Sequence, residues 1–228
     1  MNRVLVVGAS RGIGFEFVRQ HRQAGDVVTG TARDDEGLAR IQSLGATAWR
    51  LDLLDAASTA GLARLIAGDR DGDGLHFDFI VLNAGVYGPR YTGLQTPTPD
   101  EFDTVMHTNV LGAMRELPQL TAVLAPAAKL AVISSRMGSM GLRESPAGWL
   151  YRASKAALNS VLKDASIALA GKAVCVAFHP GWVRTDMGGS GADLDVATSV
   201  ADMRRTLAAL TAVDNGSFFN HDGQPLAW

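Results

Sequence analysis

The amino-acid sequence predicts an α/β fold: one doubly wound domain in which helices cover both faces of a mostly parallel, seven-stranded sheet. Short apolar segments alternate with amphipathic segments along the whole chain, as expected for repeated strand–helix units. The apolar segments are continuous, which is typical of strands that are buried on both faces. No linker, repeat or low-complexity tract interrupts residues 1–228, so we expect a single domain.

The strands and helices follow one another in a regular order. Six segments are predicted to be strands buried on both faces: RVLVVG, DVVTGTA, TAWRLDL, DFIVLNAG, KLAVISS and KAVCVAFHPG. A seventh, short strand is predicted around GSFF. Helices are predicted over residues 12–24, 35–44, 55–67, 99–124, 148–170 and 196–211. In this Rossmann-type arrangement the ligand crevice lies at the carboxyl ends of the strands. Several informative residues occupy those ends: Gly8, Arg33, Asp52, Asn83, Ser135 and Pro180.

Composition and charge exclude several classes of function. The net charge is −2, from 21 basic and 23 acidic residues, so neither a nucleic-acid surface nor a polybasic membrane anchor is indicated. No apolar stretch reaches the roughly 18 residues that a membrane span needs, and the first apolar run is too short for a signal peptide. A single cysteine, Cys175, excludes an intrachain disulfide framework and suits a reducing compartment. We therefore expect a cytoplasmic protein that binds neither nucleic acid nor membrane.

No metal site is expected. The five histidines show no metal-ligand spacing with one another or with Cys175. The segment DRDGDG, residues 69–74, begins like an EF-hand calcium loop, but the position where that loop needs its last glutamate is Ile80. We interpret this segment as a solvated turn before the fourth strand.

The segment GASRGIG follows the first strand and opens the first helix. Its glycines, Gly8, Gly12 and Gly14, permit a tight turn, close approach to a pyrophosphate and close packing of helix on strand. The helix N-terminus would then face the anion. The alternative is a tight turn without a ligand.

Tyr151 and Lys155 stand four residues apart in YRASKAALNS, so on a helix they share one face. A free tyrosine, with a pKa of ~10, is a poor acid–base group near neutrality. A neighbouring ammonium favours the phenolate and lowers that pKa. The pair is therefore either an acid with its activating cation or a chance surface pair. Asn159 is interpreted as a surface or packing residue of the same helix.

These segments together resemble the short-chain dehydrogenase/reductase family over nearly the whole chain. The motifs are GASRGIG, VLNAG with Leu82 in place of the first asparagine, HTNVLG, ISS, YRASK and HPGWVRTDM. The final segment, GSFFNHDGQPLAW, is similar to a carbonyl-reductase branch of the C-factor/Sniffer type.

The resemblance implies a catalytic set of Asn109, Ser135, Tyr151 and Lys155. Tyr151 would be the general acid/base, and Lys155 would activate it and bind the nicotinamide ribose. Ser135 would hold the substrate carbonyl, and Asn109 would support a water relay to the lysine. Spacing to the tyrosine favours Ser139 as the serine, whereas a position at the end of a rigid strand favours Ser135.

The resemblance also implies a nicotinamide cofactor. Arg33, at the end of the second strand, and Arg11 suit the 2′-phosphate of NADP(H), which is the preferred cofactor. NAD(H) stays open, because Asp34 or Asp35 could bind a ribose 2′-hydroxyl. Asp52 resembles the aspartate that contacts adenine. The implied cofactor-binding residues are Gly8, Ser10, Arg11, Gly12, Ile13, Gly14, Arg33, Asp52, Leu53, Asn83, Ala84, Gly85, Tyr151, Lys155, Pro180, Gly181, Val183 and Thr185.

The expected function is an NADP(H)-dependent oxidoreductase that reduces a small carbonyl compound or oxidises the alcohol. The alternative is a cofactor-binding regulatory or signalling protein of the same fold with little turnover. The glycine-rich segment after Thr185, residues 186–195, is either a mobile lid over the substrate or an ordinary surface loop. The resemblance implies a homodimer or homotetramer formed through the helices at 99–124 and 148–170.

Overall fold

A computed structural model of the chain describes residues 1–68 and 76–228. Its strands are β1 Arg3–Val7, β2 Val27–Ala32, β3 Thr47–Arg50, β4 Phe77–Leu82, β5 Leu124–Ile133, β6 Ala173–His179 and β7 Ser217–Asn220. Its helices are α1 Gly12–Gln23, α2 Asp35–Ser43, α3 Ala56–Gly68, α4 Pro99–Met106, α5 Gly112–Leu120, α6 Trp149–Ala168 and α7 Val196–Ala209. The turn predicted at residues 69–74 lies outside the described residues.

The seven strands form one sheet in the order β3-β2-β1-β4-β5-β6-β7. Each neighbouring pair is parallel, so the predicted doubly wound α/β fold is confirmed. The strand order reverses between β1 and β4, and a doubly wound sheet opens its ligand crevice at such a point.

Two apolar cores, one on each face, hold the sheet between its helices. Leu5 and Val7 of β1 point into the core shared with α5 and α6. Val4 and Val6, which alternate with them, point into the core shared with α1 and α7. Because successive side chains of a strand face opposite sides, a strand between two cores must be apolar throughout. The continuous apolar runs of β1, β5 and β6 are explained in this way.

The prediction that the third strand is buried on both faces is wrong. In the part of the chain that the structure describes, β3 is an edge strand and has β2 as its single neighbour. Thr47 and Arg50 are exposed, and Ala48 and Trp49 are partly buried. The strand ends at Arg50, before the predicted RLDL end, because the partner strand β2 ends at the paired residue Ala32.

The helix predicted over residues 99–124 is interrupted. A capping box between Thr98 and Glu101 starts α4, but the chain passes through a π-helical turn, His107–Leu111, before α5. Within this turn Asn109 binds the main chain of Val86, and π-turns of this kind are frequent at functional sites. The second helix ends at Leu120, so β5 begins earlier than predicted.

Within the described ranges, no helix combines the length and the apolar character that crossing a bilayer requires.

Candidate active site

The loops after β1 and β4 are fastened together at the reversal of strand order. Gly8 has a φ of 81°, and its amide donates to the hydroxyl of Thr31 at 3.0 Å. The side-chain amide of Asn83 donates to the carbonyl oxygen of Gly8 at 2.7 Å. A Cβ at Gly8 would lie 2.7 Å from Cα of Ala84, so only glycine allows this approach.

The first turn of α1 is open to an anion. Gly12 has a φ of 55°, and a side chain at Gly14 would overlap the carbonyl oxygen of Gly8. Arg11, at the N-cap, makes no capping hydrogen bond with its side chain to any described residue, so the amides of the first turn keep their donors for a ligand. A helix N-terminus with this glycine cradle fits the pyrophosphate of a dinucleotide.

Ser10 and Ile13 complete this loop. Ser10 lies against α2, because a Cβ added at Gly37 would be 2.8 Å from the Cβ of Ser10. Ile13 packs against the core that α1 shares with the sheet. Both residues border the predicted cofactor crevice, with Ile13 turned toward the interior.

The ends of β2 and β3 bring two arginines to one place. Arg33 is exposed beside Asp34, with Nε 3.9 Å from a carboxylate oxygen. Arg50 donates to the carbonyl oxygen of Arg33 at 2.9 Å and pairs with Asp35. Asp34 also caps α2 by accepting from the amide of Gly37 at 2.7 Å. Asp34 is therefore held at the helix cap, whereas the pair of Asp35 with Arg50 is exposed and weak.

The guanidinium of Arg11 has a partner of its own in this structure. Its guanidinium forms an ion pair of 2.8 Å with Asp186, and both side chains are largely exposed. Exposed pairs of this kind are weak, so a phosphate could replace Asp186 as the partner of Arg11.

The end of β3 supplies a carboxylate and a buried leucine. Asp52 accepts from the amide of Leu54 at 3.0 Å through one carboxylate oxygen. Leu53 belongs to the core and packs against α5, since a Cβ at Gly112 would lie 2.9 Å from its Cδ1. Only the main chain of Leu53 is thus placed to meet a ligand.

The segment after β6 folds back over the glycine loop. Pro180 accepts through its carbonyl oxygen from Ser199 of α7 at 2.6 Å, and Gly181 adopts a φ of 84°. Val183 is buried and bridges to Leu194.

Thr185 carries this segment onto the glycine loop, since a Cβ at Gly12 would lie 3.5 Å from its methyl carbon. Two residues after Thr185 are held as well. The oxygen of Gly188 accepts from the indole of Trp182 at 3.0 Å, and the oxygen of Met187 accepts from Arg90 at 2.7 Å. The predicted mobility of this segment stays a prediction, and the conformation seen is fastened at both points.

Lys155 is almost completely buried, with 3% exposure. Its Nζ donates to the carbonyl oxygen of Ile133 at 2.8 Å and lies 5.7 Å from the ring centroid of Tyr151. A Cβ at Gly85 would be 3.4 Å from this Nζ. Burial lowers the pKa of Lys155 to about 8.

Tyr151, in the first turn of α6, is 7% exposed. Its ring stacks on that of Tyr87, with centroids 4.5 Å apart. Burial raises the pKa of Tyr151 above its ordinary value, a hydrogen bond with Ser135 lowers it, and Tyr87 raises it further. The net direction is opposite to the one expected from Lys155, because removing the phenolate from water outweighs the other influences.

The two candidate serines have different surroundings. Ser135, at the end of β5, accepts from the amide of Met137 at 3.1 Å. Of the two serines, it is Ser135 whose hydrogen bond lowers the pKa of the Tyr151 phenol. Ser139 is fully buried, and its hydroxyl donates to the main-chain oxygen of Trp228 at 3.1 Å. Ser139 thus fastens a loop to the C-terminal segment.

Asn109 uses its whole amide within the protein. Its Oδ1 accepts from the amide of Val86 at 2.8 Å, and its Nδ2 donates to the oxygen of Val86 at 2.8 Å and to the hydroxyl of Ser154 at 2.9 Å. Asn159 is buried and accepts from Ser134, so it is a packing residue.

Comparison with known proteins decides the family. Residues 2–193 match the family model described as short chain dehydrogenase. The chain belongs to the short-chain dehydrogenase family. The C-signal protein of Myxococcus xanthus is 34% identical over 154 residues, which are 66% of this chain and 92% of that protein.

Solved structures of carbonyl reductases superpose on the whole chain. The carbonyl reductase Sniffer of D. melanogaster has a TM-score of 0.91 at 29% identity and is covered, like this chain, to 100%. The NADPH-bound carbonyl reductase from chicken fatty liver has a TM-score of 0.88 at 30% identity, covering 100% of this chain and 99% of that one. The predicted resemblance to a C-factor/Sniffer-type short-chain dehydrogenase is confirmed.

Two residues of this short-chain dehydrogenase site escaped the sequence analysis. Tyr87 follows the VLNAG motif by two residues, so its position near the crevice could be predicted from the sequence. Its stacking on Tyr151 could not. Arg50 pairs in register with Ala32, which places it beside Arg33. Only the parallel pairing of β2 and β3 reveals it.

Proposed function

We propose that this chain is an NADP(H)-dependent reductase that transfers hydride to a small carbonyl compound, or oxidises the corresponding alcohol. The observation that carries the proposal is the meeting of three groups: the phenol of Tyr151, the hydroxyl of Ser135 and the buried amine of Lys155. The amine lies against Gly85 of the loop after β4. The likeness to carbonyl reductases supports it. In this proposal residues 1–228 act as one domain that holds both cofactor and substrate.

The cofactor would lie along the carboxyl edge of the sheet. The open first turn of α1 would bind the pyrophosphate, and Asp52 would face the adenine. Arg33 and Arg50 would bind a 2′-phosphate through charge-assisted hydrogen bonds. NADP(H) is preferred over NAD(H) because Asp34 is held at the N-cap of α2, and because the exposed pair of Arg50 with Asp35 is weak enough for a phosphate to replace the carboxylate.

Residues of the chain itself carry out the proton transfer. When bound, the reduced nicotinamide supplies a hydride for the carbonyl carbon. Ser135 donates a hydrogen bond to the carbonyl oxygen, and Tyr151 gives its phenol proton to the same oxygen as a general acid. Because burial raises the pKa of Tyr151, the phenol holds this proton at neutral pH, which is the state that reduction needs. Lys155, with a pKa of about 8, is mostly charged at neutral pH and stabilises the phenolate left behind.

Asn109 acts through the main chain that it holds. By binding both main-chain groups of Val86, it fixes the segment that carries Gly85, which lies over Lys155, and Tyr87, which lies over Tyr151. The water relay implied for Asn109 stays a prediction. Since its side-chain amide is occupied, a relay water would have to use main-chain groups of the π-turn.

The test is turnover of NADPH with a panel of aldehydes, ketones and quinones, followed by loss of the reduced-nicotinamide absorbance and by identification of the alcohol formed. We expect cofactor-dependent reduction of at least one class. Tight NADPH binding without reduction of any panel member would favour the alternative, a regulatory or signalling protein with little turnover.

The quaternary structure is also a proposal. Phe102 of α4, Met114 of α5 and Ile167 of α6 are apolar and exposed, as expected if these helices pack against a second copy. A homodimer or homotetramer formed through this face would bury them, and light scattering of the purified protein measures the state directly. The reducing compartment suggested by the single cysteine leads us to propose a cytoplasmic location.

A further inference from the structure

Two arginines lie beside the ring that covers Tyr151. The guanidinium carbon of Arg90 lies 4.8 Å from the ring centroid of Tyr87, and Tyr87 stacks on Tyr151. Arg152 follows Tyr151 directly in α6, and its Nε donates to the carbonyl oxygen of Ala147, next to Gly148, where a Cβ would overlap the hydroxyl oxygen of Tyr87. Positive charge is thus gathered beside the two stacked tyrosines.

The position of Arg152 is unfavourable by itself. A cation in the first turn of a helix opposes the helix dipole, and this turn of α6 contains no acidic residue and no side-chain cap. Burial lowers the pKa of Arg152, and the charge of Arg143 lowers it further. Its Nε is held on the carbonyl oxygen of Ala147 at 2.8 Å, so the guanidinium is positioned although it forms no ion pair within residues 1–68 and 76–228.

The acidic groups nearby are not placed to neutralise these charges. None of Arg90, Arg143 and Arg152 forms an ion pair with a carboxylate in residues 1–68 and 76–228. The carboxylate of Glu101 accepts instead from the hydroxyl of Tyr91 and the amide of Thr98, both at 2.8 Å.

The main chain around these residues adds to the same potential. The amide of Gly148, at the N-cap of α6, donates to the oxygen of Tyr91 at 2.7 Å, which fixes the helix N-terminus beside the segment after β4. The positive end of a 20-residue helix therefore points to the same region as the guanidiniums of Arg90 and Arg152.

We infer that the carbonyl substrate of this chain carries a carboxylate, which Arg90 and Arg152 bind while its carbonyl group meets Tyr151. A planar carboxylate matches the guanidinium fork, and binding it would relieve the repulsion between Arg143 and Arg152. The inference rests on the proposed function, because it names the substrate class of that site.

The test compares two aldehydes that differ in one charge: para-carboxybenzaldehyde and methyl para-formylbenzoate. With NADPH, we expect kcat/KM for the acid to exceed that for the ester by about tenfold or more, as charge-assisted hydrogen bonds typically give. Arg90→Gln and Arg152→Gln should each reduce this ratio about tenfold. Arg40→Gln, in an exposed pair on α2, is the matched control and should leave the ratio unchanged.

A ratio of one or below, or a ratio that the two active-site variants leave unchanged, would overturn the inference. Failure of the proposed function would look different, because neither aldehyde would then be reduced. In that case calorimetry decides on the carboxylate site, with para-(hydroxymethyl)benzoate and its methyl ester titrated into the protein with NADP⁺. Tighter binding of the acid, lost in Arg152→Gln, supports the site, and equal binding of acid and ester overturns it.

Discussion

The rings of Tyr87 and Tyr151 stack with their centroids 4.5 Å apart and their planes inclined by 23°. This contact joins two segments that are distant in sequence, the loop after β4 and the first turn of α6. Asn109 holds the first of them by its neighbour Val86. The orientation of the proposed proton donor therefore depends on a loop that the π-turn fixes.

Replacement of Tyr87 tests this dependence. Tyr87→Phe keeps the stacked ring and should stay close to the unchanged protein in kcat/KM. Tyr87→Leu loses a ring contact of about 0.5–1.5 kcal/mol, so kcat/KM should fall by a few-fold to about tenfold. Steady-state kinetics of both variants on one carbonyl substrate give the comparison. Equal activity of the two variants would show that the stacking does not position Tyr151.

The choice between the two serines gives a second prediction. Ser135→Ala removes the hydroxyl beside Tyr151 and should lower kcat strongly, by about 10²-fold or more. Ser139→Ala removes a hydrogen bond to Trp228 and should reduce the free energy of unfolding by about 1 kcal/mol with a modest effect on kcat. Kinetics and urea denaturation of both variants separate the roles. The reverse ranking in kcat would assign the catalytic hydroxyl to the loop.

Cofactor selectivity is the third prediction. Arg33→Ala and Arg50→Ala should each weaken NADPH binding about tenfold or more relative to NADH, because only NADPH offers a 2′-phosphate for charged hydrogen bonds. Arg11→Ala should also weaken NADPH binding relative to NADH binding, provided that the cofactor displaces Asp186 from Arg11. Calorimetry with both cofactors measures each ratio. Preference of the unchanged protein for NADH would instead direct attention to Asp34.

A buried acid gives the fourth prediction. Glu116 of α5 is 1% exposed, its Oε1 has no hydrogen-bond partner among the described residues, and burial raises its pKa from 4.5 to about 8. Between these values the unfolded chain has lost the proton and the folded chain keeps it. Folding stability due to this group therefore falls as pH rises from 4.5 to about 8.

Glu116→Gln cannot ionise and should escape this loss. As pH rises from 4.5 to about 8, the free energy of unfolding of this variant should increase relative to that of the unchanged protein, by roughly 5 kcal/mol in total. Urea denaturation at several pH values across this range measures the difference. A difference that does not vary with pH would mean that Glu116 is ionised in the folded protein.

The sequence predicted the sheet well where burial is symmetric and poorly where it is not. Strands β1, β5 and β6 lie between two cores, and their continuous apolar runs indicate burial on both faces. β3 has a similar composition but lies at the edge, and strand order is a property of the whole sheet. The break at Asn109 was unpredictable for the same reason, because the main chain that Asn109 binds lies 23 residues away.

In the candidate site, local motifs predicted which residues meet and tertiary contacts decided how. The glycine loop and the pairing of Tyr151 with Lys155 could be predicted, because the spacing of these residues along the chain determines how they lie in the turn and on the helix. The surroundings of Ser139 depend on Trp228, which no local pattern connects to it. The raised pKa of Tyr151 likewise follows from how deeply Tyr87 and the segment around it bury the phenol.

The central claim, that Tyr151 is the proton donor of a carbonyl reduction, is tested most directly by Tyr151→Phe in a single turnover. Enzyme, NADPH and a carbonyl substrate from the panel are mixed rapidly, and the oxidation of the nicotinamide is followed in both proteins. Loss of a general acid typically costs ~10²-fold or more, so the variant should be slower by at least that factor while its NADPH affinity stays unchanged. Retention of most of the rate by Tyr151→Phe would contradict the account.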